Sequence, residues 1–541
     1  MSSYCFESRT PIDKGWSGDK KYCAIDGKGQ KYLLRISASE EHNQKQSEFM
    51  MMQQVYDLGI PMCRPLEFGI CEEGVYSVQS WIDGTDAEES IPSMRKAEQY
   101  AYGFQAGQIL KKIHTIPAPS TVIDWEIRFN RKIDRKIKGY IDCPLKYESG
   151  DLFLDYIEQN RYLLYDRPQV YQHGDYHIGN MMIDCNGDLQ IIDFNRNDFG
   201  DPWEEFNRIV WCAQASPLFA TGMVDGYFDK NVPEEFWRLL ALYIASNTLS
   251  SLYWAIPFGD DEIQTMRNQA AEVLVWYDGM KNVVPTWYQD NVCMQQIDGI
   301  PFLLQCPFDF SFIKQYGTVF CVFDDQNSGN ICFGTKQEDR RYFIKFAGAP
   351  TVNYRGKAQD AVDRLKSTVP IYQSLKHPNL IEYIDSVSID DSFALIFAWA
   401  DGDCMGRMYP LSHQRFMQLD LADRLKAFDD IAQFFAYIAN EKYVAIDFYD
   451  ASILYDFETK KTTICDIDFF RKQPTQNDMG RMWGSSRFQS PEEYELGAVL
   501  DEVTNVYTLG ATAFALFANY ERIRKAWQLS DALYAVVQKA I

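Results

Sequence analysis

The chain is 541 residues long, 46% hydrophobic and 24% charged, so it holds several structural units with cores of ordinary composition and is not disordered. Its 53 Lys and Arg stand against 76 Asp and Glu, a net charge of −23 that disfavours nucleic acid and anionic membrane as partners and favours cationic ligands. The 13 Cys are scattered and include no C-x-x-C pair, which excludes a disulfide framework and predicts reduced thiols in a cytoplasmic protein.

Taken in chain order, the N-terminus has no basic segment leading into an apolar one, and no run approaches the roughly 18 consecutive apolar residues of a membrane span, so a soluble protein is expected. The first strand-like run is KYLLRIS at 31–37, with the basic residue Arg35 set inside it and a polar helical stretch after it. Residues 173–194, HGDYHIGNMMIDCNGDLQIIDF, read as loop, strand, turn and strand, the turn falling at Asn186-Gly187. Helical patterns follow at 203–214, 234–255 and 262–281, with Pro233 and Pro257 as start and stop signals for the second.

The same order then returns about half a chain later. YFIKFAG at 342–348 repeats the strand with an internal basic residue, Lys345. Residues 446–470 repeat the loop and hairpin with a turn over 458–461, and helical patterns follow at 501–518 and 520–540. The repeat splits the chain near 296, into 1–296 and 297–541. It predicts an α+β protein of two tandem bilobal, protein-kinase-like folds, each a β-rich lobe followed by a mainly helical one.

The chemistry concentrates in the first Asp-rich block. Asp175 precedes Asn180 by five positions and Asp193 follows in I-I-D-F, so a loop carries the first two and a hairpin returns the third to the same mouth. Phosphoryl transfer from a nucleotide needs these types: a carboxylate to orient the attacking hydroxyl, and oxygen ligands for Mg²⁺.

H-G-D-x-x-x-x-N at 173–180, I-D-F at 192–194 and G-D-P at 200–202 together resemble the aminoglycoside phosphotransferase family, relatives of protein kinases, over about residues 1–290. The resemblance implies Asp175 as catalytic base, Asn180 and Asp193 as Mg²⁺ ligands and His173 as the residue that shapes the loop. It places Arg35 on the nucleotide phosphates, where many relatives carry Lys, with Glu48 as its partner and Glu40 or Glu41 as alternatives. Ser17 and Gly18 would lie in the loop that covers the phosphates, and Gln79 and Trp81 at the base-contacting hinge. His177 is read as structural, and Asp201 with Pro202 as shaping a turn.

Relative to the second half, the interval from Arg35 to Asp175 is longer, and the excess fits a helical insertion near 121–165, where this family builds its acceptor site. Glu204, Glu205 and the acidic run at 260–262 are open to two readings: groups that pair with an ammonium-bearing acceptor, or solvated helix ends. No G-x-x-x-x-G-K-[ST] and no G-x-G-x-x-G after a strand are present, which disfavours a P-loop enzyme and a dinucleotide oxidoreductase.

In the second half Lys345, His377-Pro378-Asn379, Asp447, the D-I-D run at 466–468, GSSRFQSPEE at 484–493 and NVYTLG at 505–510 are similar, in that order, to a protein kinase domain over about 305–520. By that resemblance Lys345 would hold phosphates, Asp447 would be the base and Asp466, rather than Asp468, the metal ligand. Several parts depart from the pattern. Ser452 replaces the metal-binding Asn, no HRD triplet exists, and Thr368 stands where the carboxylate partner of the lysine belongs, leaving Asp360 or Asp363 as substitutes. Pro370 disturbs a helix there, and few residues remain after Gly510 for a full helical lobe.

The expected function is a phosphotransferase that uses ATP or GTP with Mg²⁺ to phosphorylate a hydroxyl of a small, cationic molecule such as an amino sugar, carried by the first half. The alternatives are Ser/Thr protein kinase activity in the second half, with a protein substrate, or a nucleotide-sensing scaffold.

Overall fold

In a computed structural model that describes residues 4–13, 18–407 and 409–541, the chain divides into two compact units, Met1–Met294 and Gln295–Ile541. The first opens with an antiparallel sheet of β1 (Phe6–Pro11), β2 (Lys20–Asp26), β3 (Lys31–Ser37), β4 (Pro65–Cys71) and β5 (Gly74–Ser80), in the order β1-β2-β3-β5-β4, with helix α1 (His42–Asp57) between β3 and β4. β3 is central. Its alternation sends Leu34 and Ile36 into an apolar cluster with Ala24, Tyr76 and Val78, and so turns Arg35 to the opposite face, across from Lys21 and Ser77.

A short strand, β6 (Gly84–Asp86), and one helical turn, α2 (Ala87–Ser90), lead into the helical lobe of α3 (Lys96–Ile113), α4 (Trp125–Asp142) and α5 (Gly150–Asn160). Next come β7 (Val170–Gln172), the hairpin of β8 (Met181–Asp184) and β9 (Leu189–Ile191), and β10 (Asp198–Gly200). β6 completes a three-stranded sheet with the hairpin, and β10 pairs with β7. The lobe closes with α6 (Ile209–Ala215), α7 (Pro217–Phe228), α8 (Glu234–Ala255) and α9 (Asp260–Trp276).

Two features build the core of this lobe. α3 and α7 meet along a glycine seam: a Cβ at Gly103 or Gly107 would overlap the backbone of Phe219 or Met223, and one at Gly222 or Gly226 that of Tyr100 or Phe104. Each glycine costs about 1 kcal/mol of helix propensity relative to Ala, and the close backbone approach offsets it. α8 has the length and apolarity of a membrane span, yet most of it is buried against α4 and α5. Trp125 Nε1 donates to Tyr243 Oη at 3.0 Å and Tyr147 Oη donates to the Thr248 carbonyl at 3.0 Å, so α8 is a core helix of the lobe.

A hairpin of β11 (Cys293–Ile297) and β12 (Ile300–Leu304) precedes the second sheet: β13 (Thr318–Phe323), β14 (Asn330–Gln337), β15 (Arg340–Ala347), β16 (Tyr383–Ile389) and β17 (Ser392–Ala398). Its order, β13-β14-β15-β17-β16, reproduces that of the first, with Lys345 on the central strand. Between β15 and β16 lie two short helices, α10 (Ala358–Ser367) and α11 (Val369–Ser374), parted at Thr368 with Pro370 in the first turn of α11. Beyond the sheet come β18 (Asp403–Cys404), α12 (Pro410–Met417), α13 (Leu421–Asn440), β19 (Tyr443–Val444), β20 (Ile453–Tyr455), β21 (Thr462–Ile464) and β22 (Arg471–Lys472). α14 (Glu502–Ala518) and α15 (Asp531–Ala540) end the chain.

The three-stranded sheet β18-β20-β21 matches β6-β8-β9. Both units also fasten the connection before β4 or β16 to the hairpin, Ile191 N donating to the Pro61 carbonyl and Ile381 N to the Ile464 carbonyl, each at 2.8 Å. Each unit is thus a β-rich lobe with a helical partner lobe, the expected α+β plan.

Some expected helices are corrected. Residues 520–540 are helical only over α15, apart from one turn at Arg524–Ala526, because Asn519 and Tyr520 adopt left-handed backbone and stop α14. The 203–214 pattern begins as a tight turn over Glu204–Arg208 before α6, and the 262–281 pattern ends at Trp276, just before the left-handed Asp278, Gly279 and Met280.

Candidate active site

In the first unit the loop between β7 and β8 is built around a glycine. Gly174 has φ +84°, and a Cβ there would overlap the Arg196 carbonyl oxygen, so H-G-D admits no larger residue at its centre. His173 is fully buried. Its Nε2 hydrogen-bonds the Ile192 carbonyl at 2.9 Å and its Nδ1 accepts from Asp175 N at 3.3 Å, tying the loop to the segment that carries Asp193. Asn180 Nδ2 donates to the Asp175 carbonyl at 2.8 Å, and Ile192 N donates to the Asn180 carbonyl at 3.0 Å. Loop and hairpin are thereby clamped, and Asp193 follows in left-handed backbone with φ 66°.

Asp193 Oδ1 accepts from Arg35 Nη1 at 3.0 Å. The other partner of Arg35 is Asp19, at 2.9 Å from Nη2 and 3.2 Å from Nε. Glu48, expected in that role, instead pairs with Lys45 at 3.2 Å and accepts from Gln44. The reason is local: Lys45 stands three residues before Glu48 on α1 and takes up its carboxylate, whereas Asp19 is held almost fully buried beside Arg35 by Ser37 and Lys45. Ser17 lies outside the described residues, and Gly18 is exposed beside Asp19.

A cavity of about 250 Å³ opens against these groups, with Arg35, Asn180 and Asp193 in its lining and Leu33, Met62, Met182 and Ile191 as apolar wall. Gln79 and Trp81 line it as well. Gln79 is buried, with Nε2 3.9 Å from Met52 Sδ, and Trp81 Nε1 donates to Asp83, which Lys31 also grips at 2.7 Å.

Asp175 has a cationic setting. Arg208 Nε lies 3.2 Å from Oδ1, Arg196 Nη1 3.3 Å from Oδ2, and His177 Nε2 3.8 Å from Oδ1. Burial works to raise its carboxyl, and Arg208, His177 and Arg196 outweigh it, so the group titrates below the usual aspartate range. Burial lowers His177, whose Nδ1 accepts from Gly179 N at 3.2 Å, and the ring is neutral at pH 7.

Glu204 and Glu205 are neither solvated helix ends nor free for an ammonium. Glu205 is 2% exposed and accepts from Gly174 N at 2.9 Å and Tyr176 N at 3.4 Å, anchoring the loop from below. Glu204 accepts from Lys132 Nζ at 3.0 Å and Gln172 Nε2 at 3.3 Å; burial opposes its charge, and Lys132 and Lys136 hold it ionised. Asp201 does more than shape a turn: fully buried, it takes Arg167 at 2.7 and 3.1 Å, Tyr243 Oη at 2.6 Å and Trp203 N at 2.9 Å. The acidic run at 260–262 forms the first turn of α9, where negative charge suits the helix dipole.

Lys136, one turn after Lys132 on α4, has no carboxylate in ion-pair range among the described residues. Burial, with Lys132 and Arg208 nearby, pushes its ammonium down to about 7.

The second unit assembles a related but different set. Lys345 Nζ lies 2.7 Å from both Asp466 Oδ1 and Asp468 Oδ2. Asp466, like Asp193, has left-handed backbone, φ 56°. At the loop the positive torsion falls on Asp447 itself, φ 61°, and Asp447 meets no cation in ion-pair range among the described residues. Burial, then Asp466, pushes its carboxyl up to about 7. Ser452 is buried and turned to its own loop, with Oγ 3.5 Å from Tyr449 N. Asp363 is bonded by Gln359 and not by Lys345, so neither of the helix aspartates expected as substitutes serves it.

Sequence reasoning missed Asp19 and Asn505. Asn505 Oδ1 accepts from Ala445 N at 2.8 Å and its Nδ2 donates to the Tyr443 carbonyl at 2.9 Å, gripping the second loop much as Glu205 grips the first. Its place at the head of N-V-Y-T-L-G, after an activation-segment-like stretch, was the available signal.

Residues 8–239 match the family model described as phosphotransferase enzyme family, APH, and residues 332–538 match the protein kinase domain. No curated protein matches the chain. Among solved structures, a thermostable mutant of aminoglycoside phosphotransferase APH(4)-Ia in ternary complex with ADP and hygromycin B is 17% identical, covering 50% of this chain and 94% of that one, with a TM-score of 0.38. A choline/ethanolamine kinase family protein from Mesorhizobium loti is 15% identical over 51% of this chain and 91% of that one, TM-score 0.38. Amicoumacin kinase hAmiN, in complex with AMP-PNP, Ca²⁺ and Ami, is 14% identical over 53% and 92%, TM-score 0.39. The chain joins an APH phosphotransferase domain to a protein kinase domain and is a phosphotransferase.

Proposed function

We propose, for a chain that joins these two domains, that the first unit moves the γ-phosphate of ATP or GTP to a hydroxyl of a small molecule. The observation that carries this reading is that Asn180 and Asp193 line one cavity with Arg35, which contacts Asp193 at 3.0 Å, while Asn180 Nδ2 clamps the Asp175 carbonyl at 2.8 Å and so ties the Asp175 loop to that cavity. Asn180 and Asp193 offer an amide and a carboxylate oxygen. That donor set fits Mg²⁺, which prefers few protein oxygens and completes its shell with phosphate and water. Among the described residues no cluster of three His, Cys, Asp or Glu competes for a softer metal.

In this reading Arg35 would hold the phosphates, and Asp193, its accessible partner at 3.0 Å, would be a ligand of the metal. Asn180 and Asp193 would hold Mg²⁺, which would supply charge neutralisation at the nucleotide's phosphates. Asp175, ionised at neutral pH, accepts the hydrogen bond of the acceptor hydroxyl and aims its oxygen at phosphorus. As that oxygen bonds to phosphorus and the bond to the leaving nucleoside diphosphate breaks, the hydroxyl proton passes to Asp175.

The acceptor's charge follows from what surrounds Asp175. The buried Glu204 and Glu205 are spent on Lys132 and the loop backbone, while Arg196 and Arg208 flank Asp175 and Lys136 lies within electrostatic range of Arg208, so the surroundings of Asp175 are predominantly cationic. An acceptor bearing a carboxylate or phosphate suits this setting better than an aminoglycoside.

The test is transfer of labelled γ-phosphate from ATP and from GTP, with Mg²⁺, to matched anionic, neutral and cationic polyols. Label on an anionic polyol supports the whole reading. Label on a cationic one keeps the reaction and overturns the charge assignment, and absence of label on every small hydroxyl overturns the reading.

A further inference from the structure

The second unit has no helix carboxylate to hold its strand lysine, since Thr368 stands at that place and α10 breaks off before it. Lys345 is nevertheless doubly held, and its two partners differ. Asp466 has a half-exposed side chain, 50%, while that of Asp468 is 7% exposed. Asp468 uses both oxygens: Oδ2 on Lys345 at 2.7 Å and Oδ1 as acceptor from Tyr372 Oη, also at 2.7 Å. Tyr372 Oη in turn accepts from Ile467 N at 3.2 Å, so the phenol braces the D-I-D turn from both sides. Tyr372 itself sits on α11, 2% exposed and packed edge-on against Phe397 at 4.8 Å between ring centroids.

We propose that Asp468, braced by Tyr372, is the residue that positions Lys345 in place of a helix carboxylate, making the second unit a nucleotide-binding site whose phosphate anchor stays oriented without α10. Asp466 is the partner that could be given up: exposed and without a second bond among the described residues, it would be the one to serve a divalent cation, whereas moving Asp468 would strand a buried phenol and a buried carboxylate. The first unit has the same division of labour. Arg35 keeps a buried partner, Asp19, and an accessible one, Asp193. Losing the helix carboxylate therefore does not disable the second site, because the role has moved into the metal loop. The inference concerns the second unit alone and is independent of the first unit's chemistry.

The test reads Lys345 directly in the full-length protein. The chain is treated with a small acylating reagent with and without Mg²⁺ and adenosine or guanosine 5′-triphosphate, and acylation of the Lys345 peptide is quantified by mass spectrometry. Protection is compared within each variant, so changes in amine reactivity cancel.

Nucleotide is expected to protect Lys345 in the wild type. D468N should need at least roughly tenfold more nucleotide for the same protection, and Y372F should shift it in the same direction by less. Without nucleotide, D468N should be acylated faster, because the amine has lost the buried partner that holds it in place, yet still more slowly than exposed Lys336 in the same digest. Acylation equal to that of Lys336 would mark an unfolded variant and leave Y372F, which keeps the ring, as the deciding one. D360N and D363N should behave as wild type. Protection unchanged in both D468N and Y372F, protection lost in D360N or D363N, or no protection of Lys345 in the wild type would overturn the proposal.

Discussion

Arg208 Nε stands 3.2 Å from Asp175 Oδ1, whereas Asp447, at the matching place in the second unit, has no cation in ion-pair range among the described residues. The two carboxyls consequently move in opposite directions, Asp175 below its ordinary value and Asp447 up to about 7. Only the first is ionised throughout the neutral range, which suits it to orient a hydroxyl at constant charge.

Removing Arg208 should therefore raise Asp175. In R208M the acid limb of the kcat/KM profile for phosphoryl transfer should move up by about one pH unit, the usual scale for a neighbouring opposite charge. The same lowered value makes Asp175 stabilising at neutral pH, and that contribution disappears as pH falls from its unfolded value near 4 through the folded one. A profile unmoved in R208M would show that the ion pair does not govern the base.

Asp447 gives the reverse sign. The folded state retains its proton longer than the unfolded state, so stability falls as pH rises from about 4 to about 7 and is level above. D447N should stabilise the second unit at pH 8, by at most about 4 kcal/mol, and leave it unchanged at pH 4, measured by denaturant unfolding without divalent cation. Equal effects at both pH values would contradict the burial argument.

Arg35 takes Asp19, which the sequence does not single out, and not Glu48, which it does. D19N breaks a buried ion pair and should cost about 3 kcal/mol of stability while weakening nucleotide binding by the first unit. E48Q, which loosens Lys45 and leaves the guanidinium contacts intact, should cost about 1 kcal/mol or less. Chemical denaturation of the two variants side by side decides between them.

Lys136 offers a test by pH. With its ammonium near 7, affinity for an anionic acceptor should decline as pH rises through that value, while nucleotide affinity stays level. K136Q should raise the acceptor KM roughly fivefold at pH 6 and have little effect at pH 8.5, where the amine is already neutral.

Much of the fold was legible because its signals are local. KYLLRIS coincides with β3, the Asn186-Gly187 turn joins β8 to β9, and Pro233 with the apolar run behind it marks α8 from Glu234 to Ala255. α3 and α7 carry little sequence signal, because Gly103, Gly107, Gly222 and Gly226 weaken each helix alone and act only when the two meet. The sequence predicts helix throughout 520–540 because nothing in its composition announces the left-handed turn at Asn519 and Tyr520.

At the site, Asp175, Asn180 and Asp193 are linked by short spacings and so readable as a set; the structure ties the Asp175 carbonyl to Asn180 and places Asn180 and Asp193 in one cavity. Partners from distant segments were not. Asp19 reaches Arg35 across a strand pair, Asp468 reaches Lys345 across more than a hundred residues, and Glu205 turns inward from a stretch that reads as a solvated helix start. Burial decides those roles, and it is a property of the folded chain.

The most direct measurement is labelled γ-phosphate transfer to a small polyol by wild type, D175N and D447N, with nucleotide affinity determined for each. The account predicts that D175N loses transfer by several orders of magnitude with nucleotide affinity nearly unchanged, while D447N transfers as the wild type does. Transfer that survives in D175N, or that vanishes in D447N, would contradict it.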